Sequence, residues 1–89
     1  MTDCNGWKNW ETWNLALWLS NEEPIYRNYV SWLRRKAIAP TDTQAKEFAL
    51  SIFPGGITPD FEAMQGSPDR IDWGEIGDSF RDDWHEHQE

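Results

Sequence analysis

Seven carboxylates crowd the last eighteen residues of the chain: Asp72, Glu75, Asp78, Asp82, Asp83, Glu86 and Glu89. On a helix they would span about 26 Å, one charge per roughly 3.7 Å, close to the about 3.4 Å per phosphate of one DNA strand. At about 100° per residue they fall largely opposite an apolar stripe of Trp73, Ile76, Phe80 and Trp84. A one-sided acidic helix can fill the basic groove of a nucleic-acid-binding protein; the plainer role of such a face is solvation.

Catalysis has fewer materials. The only histidines, His85 and His87, stand two residues apart. On a helix they point about 200° apart, so they cannot share a metal with Asp83 and Glu86 while helical. Imidazoles there suit the negative end of a helix dipole. No glycine-rich phosphate loop, dinucleotide fingerprint or nucleophile elbow occurs. A Ser-His or Cys-His pair would rest on a chain end, whereas a catalytic group must be held to about 0.5 Å by its surroundings. Cys4 is the single cysteine, which excludes an internal disulfide and a cysteine-built zinc site. The expectation is a non-enzyme with no catalytic residues, metal or cofactor.

The net charge of −8 is unevenly spread over the 89 residues. Residues 1–40 hold five basic and four acidic groups; residues 41–89 hold three basic and twelve acidic, a local net of −9. The only basic run is Arg34-Arg35-Lys36. Direct nucleic-acid binding needs a basic stripe, and an acidic surface repels both nucleic acid and anionic membrane while attracting basic protein. Aromatic residues supply the rest of the recognition chemistry. Trp7, Trp10 and Trp13 recur every third residue, with Trp18 close by. Most are expected in the core. Trp7, ahead of the first helix, and Trp84 are candidate anchors, since Trp is enriched at interface hot spots. The candidate partner-binding set is therefore Asp72, Glu75, Asp78, Asp82, Asp83, Glu86, Trp7 and Trp84.

The elements that must position these residues are helical. Asn9 caps a segment over residues 9–21, with Glu11 in its first turn and a stripe of Trp10, Trp13, Ala16 and Leu17 widened by Leu15, Trp18 and Leu19. Asn14 interrupts it and needs a hydrogen-bond partner, such as a backbone carbonyl of a neighbouring helix. Pro24 opens a second helix running to about residue 37, with Tyr26, Tyr29, Val30 and Leu33 inward and Ile25 and Trp32 flanking. Thr41 and Gln44 form a capping box ahead of Ala45, Phe48, Ala49, Ile52 and Phe53. Pro54-Gly55-Gly56 stops that helix. Thr58-Pro59-Asp60 starts a short one, with Phe61 and Met64 inward, and residues 65–70 form a loop. Asp72 and Glu75 read as a D-x-x-E capping box opening the acidic helix. Gly74 and Gly77 weaken that helix but permit another to approach closely.

The fold class is all-α: a single small domain over residues 1–89, four to five short helices, with a loop-rich connection around 54–70. Seven Trp, four Phe and two Tyr let so short a chain fold without staples. The longest apolar run, residues 15–19, is far below the roughly 18 residues that cross a membrane, and the N-terminal residues lack a signal-peptide pattern. A cytoplasmic location in a host cell is expected.

Residues 6–21, Gly6-Trp7-Lys8-Asn9-Trp10-Glu11-Thr12-Trp13-Asn14-Leu15-Ala16-Leu17-Trp18-Leu19-Ser20-Asn21, resemble an N-x-E-T-W-N-x-A-L-W-L-x-N signature of small uncharacterised bacteriophage and mobile-element proteins. Ile71-Asp72-Trp73-Gly74-Glu75-Ile76 is similar to a second, weaker part of it. Trp10 stands where that signature has a basic residue. The resemblance implies a genomic setting and assigns no site. In that setting the expected function is that of a DNA mimic: an inhibitor occupying the basic groove of a host defence protein, either a CRISPR effector or a restriction enzyme. The alternatives are a self-associating accessory module with the tryptophan-rich first helix as the seam of a homodimer, and a small metal-dependent enzyme.

Overall fold

Asn9 starts the first helix as its sequence position predicts. Its backbone is extended, and its Oδ1 accepts from the Thr12 backbone N–H at 2.9 Å. Five α-helices follow in the computed structural model, which describes residues 6–88: α1 (Trp10–Asn21), α2 (Glu23–Arg34), α3 (Asp42–Ile52), α4 (Phe61–Met64) and α5 (Trp73–Glu86). Short 3-10 turns at Pro54–Gly56 and Pro68–Arg70 complete the chain, and the described residues contain no strand. Cys4 and Glu89 lie outside the described residues.

Local signals set most boundaries. Pro24 sits in the first turn of α2, where its missing N–H costs nothing. Thr41 and Gln44 close both halves of the capping box of α3. The α2 helix ends at Arg34, three residues earlier than its spacing predicts. The Arg35 and Lys36 N–H groups tighten onto the carbonyls of Trp32 and Leu33, and the Lys36 carbonyl turns away to accept from the Trp84 indole at 3.2 Å.

The α3 helix packs on α5 and α1 packs on α2. Between them Tyr29, Trp32, Phe48 and Phe80 form one aromatic cluster. Tyr29 and Phe80 have centroids 4.7 Å apart, and Trp32 and Phe48 4.8 Å, all tilted rather than stacked flat. That geometry sets positive ring edges against negative faces. Gly77 lets α5 reach the N-terminus of α3: a Cβ built there would overlap Asp42 Oδ1. Gly56 has φ +79°, and a Cβ there would stand 2.6 Å from Ile71 Cδ1.

The buried face of α1 differs from the expected stripe. Glu11, Thr12, Asn14, Leu15 and Leu19 are buried, whereas Trp10, Trp13, Ala16 and Leu17 are only half-buried. Hydrogen bonding overrides hydropathy here, because residues 58–72 lie against the polar side of the helix. Glu11 Oε2 accepts from the Ser67 N–H at 3.0 Å, and its other oxygen pairs with Arg70 at 3.3 Å. Thr12 Oγ1 accepts from the Asp72 N–H at 2.8 Å. Asn9 Nδ2 donates to the Arg70 carbonyl at 2.6 Å. Asn14 donates to Asp60 at 2.8 Å and accepts from the Thr58 hydroxyl, so its partners are side chains of the connection rather than a helix carbonyl. The connection is thereby latched to α1. Met64, expected inward, is 59% exposed, because α4 is a single turn that buries only Phe61.

Candidate binding face

The carboxylates of α5 fall into two groups. Asp72 caps the helix through the Glu75 N–H at 3.0 Å and lies 3.7 Å from Lys8 Nζ. Glu75 does not complete the capping box. Its Oε1 accepts from the Lys8 N–H at 2.8 Å, because the Asp72 N–H is already bonded to Thr12. Asp83 accepts from the Tyr29 hydroxyl at 2.6 Å. These three carboxylates hold the fold together.

Asp78, Asp82 and Glu86 are exposed. Asp78 meets Arg81 at 2.6 Å, and Arg81 also reaches Asp42 at 2.9 Å. Asp82 and Glu86 form no ion pair with any described residue. The exposed set recurs every fourth residue, about 6 Å apart along the helix, a wider spacing than the full sequence set suggested.

The Lys8 contacts draw the segment before α1 along the first turns of α5, which brings Trp7 to the acidic face. Gly6 and Trp7 line an open groove of about 490 Å³ together with Glu75, Asp78, Ser79, Asp82, Asp83 and Glu86. Nothing in sequence spacing links residue 7 to this helix; the Lys8–Asp72 charge pair was the one available hint. Trp84, the other expected anchor, does not line the groove. Its indole bonds to Lys36 and its ring meets His85 edge-on at 5.1 Å.

Beneath Trp7 lies a second, smaller cavity of about 280 Å³ between α1, α2 and α5. Trp13, Ala16 and Leu17 line it, which accounts for their partial exposure. The Tyr29 hydroxyl is held far above its ordinary pKa, first by burial and then by its hydrogen bond to Asp83. It therefore stays a donor.

A basic groove also escaped sequence reasoning. Arg27, Arg34 and Arg35 of α2 and the following turn join Tyr26 and His87 around an open space of about 530 Å³. The spacing of Arg27 and Arg34, seven residues on one helix, was a readable signal; the approach of His87 was not. Among the described residues no group of three or more His, Cys, Asp or Glu is arranged to hold a metal. Among the same residues no helix is long and apolar enough to cross a membrane.

The chain belongs to DUF7249, a family of unknown function whose model matches residues 1–77. No curated protein and no solved structure matches it. The matched stretch contains the whole α1 latch and ends one residue before Asp78.

Proposed function

We propose that this member of a family of unknown function is a non-catalytic binding protein that blocks a nucleic-acid-handling host protein by occupying its basic groove. The observation that carries the reading is the set Asp78, Asp82 and Glu86, exposed at every fourth position of α5 with Trp7 beside them. Charges so placed steer a basic partner, and a tryptophan at their edge provides the apolar anchor that charge alone lacks. The signature in α1 resembles that of bacteriophage and mobile-element proteins, a setting in which a CRISPR effector or a restriction enzyme is the natural target.

The test is capture from a host lysate by the tagged full chain, washed at low and then high salt. A nucleic-acid-binding protein retained at low salt, released at high salt and inhibited when pure chain is added back is the expected result. An Asp82→Lys, Glu86→Lys variant that stays folded and binds as well as the parent overturns it.

Self-association is a second reading, favoured by the groove of Arg27, Arg34 and Arg35, which could receive the acidic face of another copy. Trp10 and Trp18, expected in a dimer seam, pack on Phe61 and Phe53 within the chain. Light scattering separates the readings: a salt-sensitive oligomer of the pure chain supports self-association.

A further inference from the structure

The cavity beneath Trp7 combines three features that together select a ligand class. Half-buried Trp7 and Trp13 line it, as do buried Ile76 and Phe80. Asp83 is the one charged residue in its lining. The Tyr29 hydroxyl engages Asp83 Oδ2, and among the described residues no cation pairs with this carboxylate.

A purely apolar ligand would strip water from Asp83 without replacing it, which is costly. An anion would meet Asp83 directly and Asp82 and Glu86 on approach. A bare metal ion would lack donors, since the other lining groups are mostly aromatic and aliphatic. What remains is a cation carried on an apolar stem. Lysine and arginine side chains have that form: their methylenes lie along apolar surface while the charged head seeks a carboxylate, and aromatic faces attract the cation.

We propose that this cavity receives one arginine or lysine side chain of the basic partner, its stem against Trp7 and Trp13 and its charged head at Asp83. The identity of the donor rests on the binding reading above. The cavity and the acidic groove share Trp7 and Asp83, so one docking event would fill both.

N-acetyl-arginine amide and N-acetyl-lysine amide are titrated into the full chain, with N-acetyl-norleucine amide as the uncharged control. Indole N–H resonances are followed by NMR. The expected result is movement of the Trp7 and Trp13 resonances by either cationic probe, little response to norleucine, and roughly tenfold weaker binding in Asp83→Asn, the equivalent of about 1.4 kcal/mol. Asparagine can still accept from Tyr29, so the fold contact is retained. Should that variant not fold, Trp7→Ala is used, with the same loss expected. Equal binding of norleucine, unchanged affinity in a folded variant, or no response from either indole overturns the proposal. Partner capture that persists without probe binding removes only this inference, whereas probe binding without capture removes the groove-blocking function.

Discussion

Asn14 of α1 donates to Asp60 Oδ2 at 2.8 Å across 46 residues, and the same oxygen accepts the Trp18 indole N–H, also at 2.8 Å. One carboxylate thus ties two positions of α1 to the turn before α4. With the bonds from Asn9, Glu11 and Thr12, it makes the polar side of α1 the attachment line for residues 58–72.

Asn14→Ala is expected to cost about 2–3 kcal/mol, because a buried amide with two partners is removed and the Thr58 hydroxyl loses its acceptor. Thr12→Val keeps the shape but leaves the Asp72 N–H unpaired, at about 2 kcal/mol. Urea titration checks both, and a midpoint unchanged in either variant contradicts the latch.

Acid should weaken the same contact. The hydrogen bonds from Asn14 and then Trp18 hold the Asp60 carboxyl below its ordinary pKa. A depressed folded pKa gives stability that is complete above the unfolded value of about 4 and is lost as pH falls toward the folded one. Thermal melts of the parent should therefore decline below that point more steeply than those of Asp60→Asn.

At the alkaline end the sign reverses. Tyr29 keeps its proton in the fold, so its contribution is complete below about pH 10, the unfolded value, and declines as pH rises further. In a Tyr26→Phe background, phenolate absorbance should appear only with unfolding. A phenolate signal from folded chain would show that Tyr29 is not held by burial and Asp83.

Two of the close-contact glycines, Gly56 and Gly77, should respond differently to alanine. Gly56→Ala puts a side chain at positive φ against the buried Ile71 methyl and is expected to lose about 2 kcal/mol. At Gly77 the obstruction is the carboxylate of Asp42, whose side chain is 53% exposed and can swing aside. In an Asp42→Ala background, Gly77→Ala should stabilise α5 by about 1 kcal/mol, the helix-propensity difference. Chemical denaturation of the four proteins checks this.

Binding through Asp82 and Glu86 should be salt-sensitive, as exposed charge pairs are screened over about 10 Å at 0.1 M salt. Reversing both should slow association more than it speeds dissociation. Surface plasmon resonance against the captured partner separates the two rates.

The sequence was legible wherever the signal was short. Asn9, Thr41 and Asp72 announce their helix starts through a backbone N–H three residues away, and Pro54-Gly55-Gly56 ends α3 where it stands. It was illegible where the partner is distant. Glu11 and Thr12 look solvent-facing on a wheel, and only the fold brings Ser67 and Asp72 onto them. The candidate site follows the same division. The acidic periodicity of α5 is plain in the sequence. That Asp72, Glu75 and Asp83 are engaged inside the molecule, and that Trp7 lies beside the rest, depends on contacts spanning more than fifty residues.

That distance also orders the making of the protein. During synthesis α1 emerges well before the groups that complete it, from Thr58 to Asp72. Until then Glu11 and Asn14 can bond only to water and Asn9 and Thr12 have only each other, so a helix with four polar groups on its inner side has no dry place to settle. Contacts spanning 44 to 61 residues close large loops before they stabilise anything. A helix made early is thus among the last to reach its native position, and a chain released before residue 58 lacks every residue that would hold the polar side of α1.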